Sequence, residues 1–403
     1  MSTSEVLMTQ EIYVAAGVRS ALGNFGGTLK DKPMTELASE IVQSCVKRSG
    51  AAASDFDHLV FTTTCPTDKD SLFAARVVGM KSGLPADAGA LDVSRACASG
   101  LQAILAAGQQ IATGHSHLAI AAGSEMFSRA PFAVTTSRWG QARGHQQLED
   151  MLEWCYRCPF SLEYMGDTAE NLTEKYGYER APMDEYALQS QERALAAIES
   201  GFLGRQIQPV MVPSGRSQVE FAIDESPRAG LTLEKLASLK PAFKADGNVT
   251  AGNSSGVTDG AAAMVVGSLD RMRACGVSPV AKIVDWAVVG VEPSLMGHGP
   301  VPAISQVLKR VDLGINDIDY FEINEAFAVV NLHAEAQLGI SRDRHNLYGG
   351  GISVGHPPGV TGLRMMLNAT QHLQDTGGRY AILSMCLGAG QGMAMLIENA
   401  AAL

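Results

Sequence analysis

The stretch Leu91-Asp-Val-Ser-Arg-Ala-Cys97-Ala-Ser-Gly100-Leu-Gln-Ala-Ile-Leu-Ala-Ala107 decides the fold. A short apolar run stops at a tight segment, and apolar residues then recur at helical spacing, which reads as strand, loop, helix. Leu118-Ala-Ile-Ala-Ala-Gly123 follows as another strand. The second half repeats the order: Ser353-Val-Gly-His356, then Gly359, a helix over 363–373 and the strand Tyr380-Ala-Ile-Leu-Ser-Met385. The repeat predicts two like-folded halves, with Cys97 and His356 on equivalent loops. In such sheets ligands gather beyond the strand ends, so a site is expected where the halves meet.

Outward from this repeat, Ile12-Tyr-Val-Ala-Ala16 reads as a strand leading into a glycine-rich loop over 17–27. Helical spacing covers 35–46 and 72–80, and His58-Leu-Val-Phe-Thr-Thr63 is a strand between them. Alternating strands and helices predict an α/β fold with a mixed or mostly parallel sheet covered by helices. From about 125 to 248 the texture changes: charges are frequent, clean strands are few, and two of the three tryptophans lie here. Helices are expected over 162–175 and 184–201, the second starting after Pro182. The strand Gly260-Ala-Ala-Ala-Met-Val-Val-Gly267 then resumes the sheet. The expected division is 1–124 for the first part of the N-terminal half, 125–248 for a covering and oligomerisation insertion, 249–275 for the return, and 276–403 for the C-terminal half.

With 403 residues the chain can build two cores. A net charge of −11 disfavours a nucleic-acid surface and an anionic membrane surface, while an anionic small ligand remains compatible with a local basic patch. Apolar runs are far too short to span a bilayer. Neither a secretory or mitochondrial leader at Met-Ser-Thr-Ser-Glu nor a peroxisomal address at the C-terminus is read, so a cytoplasmic location is expected. Seven scattered cysteines argue for reduced thiols rather than a disulfide framework. Cys155-Tyr-Arg-Cys158 has the spacing of a redox or half-zinc motif, but no second ligand pair accompanies it, and no metal site is expected.

Cys97 is the candidate nucleophile, since backbone N–H groups at a helix start favour a thiolate. His356, in the rigid Gly349-Gly-Gly-Ile-Ser-Val-Gly-His-Pro-Pro-Gly359 loop, is the candidate to take its proton, and together they suggest covalent acyl transfer. A buried core cysteine and a loop-stabilising histidine fit the same residues. Cys386, before Leu-Gly388-Ala-Gly390, suits an acid or base acting at a carbon next to a thioester, or plain packing at a strand end. Asn324 offers an amide for a water or an oxyanion, or a helix cap. Glu325 suits a histidine-orienting role or a buried network, and His298 either a site residue or a surface turn.

Several separate motifs now stand in order, and the chain resembles the thiolase family over nearly its whole length. Cys97-Ala-Ser-Gly-Leu-Gln, Asn324-Glu-Ala-Phe-Ala, Gly355-His356-Pro and Cys386-Leu-Gly resemble its four active-site segments. Ala251-Gly-Asn-Ser-Ser-Gly-Val-Thr-Asp-Gly is similar to its coenzyme-A-contacting segment, and Met165-Gly-Asp-Thr-Ala-Glu to part of its covering loop. The resemblance implies the thiolase fold, two mixed-sheet α/β halves in α-β-α-β-α layers with a large covering insertion. It further implies cleavage of a 3-ketoacyl-CoA through an acyl-Cys97 intermediate, with Cys386 as acid/base and His356 helping to deprotonate coenzyme A. One oxyanion site would use His356 and a water on Asn324, the other the N–H groups of Cys97 and Gly388. Coenzyme A and acyl-CoA would be substrates, with no tightly bound cofactor, and Ser255, Met165, Phe327, His298 and Arg228 are the candidate contacts. A homodimer or homotetramer is expected.

Departures from the family pattern touch specificity rather than catalysis: Ala389 inside the usual glycine run, Ala98 after the nucleophile, Ser20-Ala21 for Thr-Pro, and Thr258 where asparagine is common. The segment 154–160 is where acyl-chain selection is expected. Three alternatives stay open: a biosynthetic acetoacetyl-CoA-forming thiolase, a decarboxylating condensing enzyme, which Cys386 in place of a second histidine disfavours, and a non-catalytic acyl-CoA or lipid-binding relative.

Overall fold

The computed structural model describes residues 10–140 and 143–402. The N-terminal segment read for a leader and the last residue, Leu403, therefore lie outside the described residues. Among the described residues the main sheet has ten strands, nine of them in one continuous order: β1 Ile12–Arg19, β2 His58–Thr62, β3 Gly89–Val93, β4 Leu118–Met126, β5 Thr258–Gly267, β6 Ala281–Gly290, β7 Tyr320–Ile323, β8 Tyr380–Leu387 and β9 Gln391–Asn399. A two-residue strand, Gly23–Asn24, pairs onto β5. Their order is β7-β8-β9-β6-β1-β5-β4-β2-β3.

Read outward from the β1–β6 junction, this order shows the repeat. On one side come β5, β4, β2 and β3; on the other, β9, β8 and β7. β5 and β9 run antiparallel to both neighbours, whereas β2 is parallel to β4 and β7 is parallel to β8. The counterpart of β3 is reduced to one parallel bridge between Phe321 and His345. The two like-folded halves expected from the sequence are present, joined antiparallel through Ile12 opposite Ile283 and Val14 opposite Ala281.

Helices complete the layers: α1 Met34–Ser49, α2 Ala74–Lys81, α3 Ser99–Ala112, α4 Met151–Tyr156, α5 Met165–Tyr176, α6 Arg180–Glu199, α7 Pro300–Val311, α8 Ala328–Leu338 and α9 Pro358–Thr376. One core holds α3 and α9 together with inward residues of both half-sheets, such as Val60, Ala121, Leu383 and Met395. The opposite face of the first half-sheet packs on α1 and α2, and that of the second on α7 and α8. This is the expected α-β-α-β-α layering. The central helices touch backbone to backbone: a Cβ at Gly362 would lie 2.2 Å from the Leu101 nitrogen.

Three expectations change. The helix expected to start after Pro182 begins at Arg180, with Pro182 in its first turn, where an N–H has no partner within the helix to lose. The loop read from Gly17 onward begins later, because β1 continues to Arg19 across a bulge between Val14 and Gly17. Glycine there admits α9, since a Cβ would sit 2.6 Å from Leu367 Cδ2. The helix read over 72–80 is instead a 3-10 turn, Lys69–Phe73, followed by α2. Asp68 caps that turn by accepting the N–H groups of Asp70 and Ser71 at 3.0 and 3.1 Å. No described helix is long and apolar enough to cross a membrane.

Candidate active site

The parallel strands aim their carboxyl ends at one region. Past β2 comes Cys65, past β3 Cys97, past β7 Asn324, and near the end of β8 Cys386 and then Gly388. A cavity of about 390 Å³ opens there, lined by Cys97, His356 and Gly388. Met165, Ser255 and Phe327 line it as well, as the sequence suggested, whereas Cys386 is fully buried beside Cys97.

Cys97 sits on a tight connection. Ala96 adopts a φ of 44°, an uncommon conformation for alanine, and Arg95 and Cys97 bridge across it. The backbone N–H groups of Gly388 and of Cys97 itself both reach the Cys97 sulfur. They pull its pKa down, but burial outweighs them and the net shift is upward. The helix start therefore does not produce a resting thiolate, because loss of water around the sulfur is the larger effect. Cys386 is likewise pushed up, by burial and by its neighbour Cys97.

His356 is held from both sides. Its Nδ1 pairs with Thr361 Oγ1 at 2.7 Å, and that hydroxyl donates onward to the Pro357 carbonyl at 3.0 Å. The consistent tautomer carries the proton on Nδ1, assigned from this network, and Nε2 accepts from Asn324 Nδ2 at 3.3 Å. Burial, reinforced by the Arg364 charge, lowers the imidazole to about 3. Its backbone N–H donates to Gly256 at 3.0 Å, and Ser255 N–H donates to the Ala326 carbonyl at 2.9 Å. These bonds tie the Ser255 segment to the histidine and asparagine loops.

Asn324 does not cap α8, which starts four residues later after Phe327. Glu325 joins a buried network rather than a histidine: Ser190 Oγ donates to it at 2.6 Å, with Tyr186 and Asn346 at 3.1 Å. Met165 rests over Gly388, where an added Cβ would lie 3.2 Å from its sulfur.

Asn324, like Cys386, is buried behind the cavity wall, and two further candidates do not reach it. His298 pairs with His333 at 2.8 Å and stacks on Tyr176, and Arg228 is exposed with its backbone N–H bonded to Gln191. Sequence reasoning left out Cys65, Phe127 and Met151, which line the cavity, and Glu125, which braces it. Glu125 accepts from Thr63, Thr64, Cys65 and the Gly359 N–H at the start of α9. The available signal was position: each cavity residue on the first half-sheet follows the end of a parallel strand. Among the described residues no cluster of histidines, cysteines and carboxylates could hold a metal ion.

Comparison with known proteins agrees with this geometry. The family models of the thiolase N-terminal domain and the thiolase C-terminal domain match residues 12–270 and 277–399. The beta-ketothiolase BktB of Cupriavidus necator is 41% identical, covering 97% of this chain and all of the relative. The solved acetyl-CoA acetyltransferase of Bacillus anthracis superposes with a TM-score of 0.94 at 41% identity, covering 97% of this chain and 99% of that one. Human mitochondrial 3-ketoacyl-CoA thiolase, solved in complex with CoA, gives 0.93 at 36% identity and covers 98% of each chain. The chain belongs to the thiolase family, whose members are acyltransferases that use coenzyme A.

Proposed function

We propose that the protein cleaves 3-ketoacyl-CoA with coenzyme A, and that Cys97, Cys386, His356, Asn324 and Gly388 carry the reaction. The observation that carries this reading is the Cys97 sulfur itself, which receives the N–H groups of Gly388 and Cys97 and lies beside Cys386. Donors that already point at the sulfur are placed to receive the oxygen of a thioester formed on it, and one such donor contributes about 3–4 kcal/mol in other enzymes.

In cleavage, the Cys97 thiol gives its proton to neutral His356 as the sulfur attacks the 3-keto carbon. The carbon–carbon bond breaks, the electron pair leaves with acetyl-CoA, and Cys386 supplies the proton to that carbon. The proton held by His356 passes to the Cys386 thiolate. Neutral His356 then takes the proton of a coenzyme A thiol as that sulfur attacks the acyl-Cys97 carbonyl. The carbon–sulfur bond to Cys97 breaks, and His356 returns the proton to Cys97 as the shortened acyl-CoA leaves. Run backwards, the same groups condense two acetyl-CoA, with Cys386 removing the α-proton. His356 suits proton transfer because burial keeps it neutral and Thr361 fixes its ring.

Ser255, Met165 and Phe327 are assigned to the pantetheine arm. Arg228, exposed beyond the cavity, is assigned to the phosphate end of coenzyme A, and His298 to an outer position behind the wall residue Met296. The reading includes a covering role for the insertion 125–248, a cytoplasmic location, and a homodimer or homotetramer. The end strand β3, whose Leu91 is exposed, offers an edge for such pairing.

The test is coenzyme-A-dependent thiolysis of acetoacetyl-CoA and longer 3-ketoacyl-CoAs by wild type, Cys97→Ser and Cys386→Ser. Each variant is expected to lose about a thousandfold or more in kcat/KM, as for other units of covalent machinery. Near-normal turnover in either variant rejects the two-cysteine assignment.

A further inference from the structure

The cavity wall holds a second pair of thiols. Cys65 stands in the turn after β2 and Cys155 on α4, and both line the cavity. The two side chains hydrogen-bond to each other, although 90 positions separate them in sequence. The turn is fixed, since Cys65 N–H and Thr64 N–H both donate to Glu125 at 3.1 Å. Apart from Cys65, the Cys155 sulfur reaches the Met151 carbonyl one helical turn back, at 3.5 Å. Cys158, its partner by motif spacing, turns instead toward Ser161 and the Phe160 N–H. The contact thus joins the N-terminal half to the covering insertion, and the Cys-x-x-Cys spacing is incidental to it.

We propose that Cys65 and Cys155 form a modification site, oxidised by a hydroperoxide that enters the cavity to a reversible disulfide stapling α4 to the turn after β2. In the first step the Cys155 thiolate attacks the peroxide oxygen, the O–O bond breaks, and a proton completes the departing alcohol or water, leaving a sulfenic acid. In the second, the Cys65 sulfur attacks the sulfenic sulfur, the S–OH bond breaks, and water leaves with the Cys65 proton. Two electrons pass from the thiols to the peroxide, and a dithiol reverses the change by exchange.

Order of reaction follows from the surroundings. The hydrogen bond with Cys65 lowers Cys155, while Cys97 and Cys386 are both raised by burial. Cys155 is the more ready thiolate, so the pair is consumed ahead of the Cys97 nucleophile. The helix it anchors also presents Trp154 and Tyr156 to the cavity. A staple there fixes that wall, so it no longer yields to a bulky acyl chain. This consequence rests on the thiolase reading, whereas formation of the disulfide does not.

The experiment treats the reduced full-length protein with near-equimolar hydrogen peroxide, blocks remaining thiols with N-ethylmaleimide, and digests with trypsin without reductant. The expected product is peptide 49–69 linked to peptide 144–157, lost after dithiothreitol and never formed by Cys155→Ser. If the Cys97 peptide 96–129 is oxidised while Cys65 and Cys155 are recovered alkylated, the proposal is overturned. In parallel, oxidised wild type should lose several-fold more activity on a long-chain 3-ketoacyl-CoA than on acetoacetyl-CoA, restored by dithiothreitol. Equal loss on both rejects the wall-fixing consequence. Absence of thiolysis in the reduced protein rejects the thiolase reading and leaves the peptide result standing.

Discussion

His356 keeps its imidazole neutral by being buried with Arg364 nearby, and that state has two consequences at the level of one residue. The folded-state value of about 3 lies below the ordinary 6.5. Between those values the unfolded chain binds a proton that the folded chain does not, so stability falls as pH drops through that window and is unaffected by this group above it. His333, lowered by burial to about 4, adds to the same acid weakening. For turnover, a histidine already neutral contributes no ionisation near neutrality. The kcat/KM profile for thiolysis between about pH 5.5 and 8 is therefore expected to lack an acid limb from His356. An acid limb near pH 6.5 that disappears in His356→Asn, with folding intact, would show a more solvated imidazole than the structure holds.

At the scale of elements, the crossing of α3 and α9 carries the site, because Cys97 and His356 stand just before these helices. Gly362 makes the crossing close: its added Cβ would meet the Leu101 nitrogen at 2.2 Å, and one at Gly100 would meet the Gly362 nitrogen at 2.8 Å. Backbone cannot yield as a flexible side chain does, so Gly362→Ala is expected to cost about 2–3 kcal/mol in urea unfolding. It should also lower kcat by moving one loop against the other. An unchanged midpoint and kcat would mean the crossing opens at little cost. Both helices were legible in the sequence because their apolar runs, such as Leu101-Gln-Ala-Ile-Leu, keep helical spacing. Strands β6 and β9 were not. β6 mixes Lys282, Asp285 and Trp286 into a half-buried strand, and β9 carries the run Met-Ala-Met-Leu-Ile, which fits a buried helix equally well. The site divides the same way. Cys97, His356 and Cys386 stand out by residue type, the first two on tight loops and the third at a strand end just before Gly388-Ala-Gly390, whereas Cys65, Phe127 and Glu125 join them only once strand order brings β2, β3 and β4 side by side.

At the scale of the whole molecule, a buried polar chain ties the insertion to both halves. Asp224 takes a two-pronged bond from Arg19, Nη1 to Oδ1 at 2.7 Å and Nη2 to Oδ2 at 2.8 Å, and also accepts the Leu22 N–H at 2.8 Å. Arg19 Nε reaches Gln206, whose amide donates to Asn368 at 2.9 Å. Asn368 in turn donates to Glu322 at 3.0 Å, and Glu322 also receives Arg364. β1, the insertion, α9 and β7 are linked without an exposed charge at the Arg19–Asp224 end. Such a pair need not add net stability over a well-packed apolar pair, but losing one partner strands the other charge away from water. Asp224→Ala is therefore expected to cost about 3–5 kcal/mol, and the paired replacement Arg19→Met with Asp224→Leu less than that. The comparison is Asp375→Ala, which breaks the exposed Arg205–Asp375 pair and should cost at most about 1 kcal/mol. Urea unfolding of the three variants decides the matter. Equal losses for Asp224→Ala and Asp375→Ala would show that water reaches Arg19 once its partner is gone, and that the insertion is held to the sheet by its apolar contacts alone.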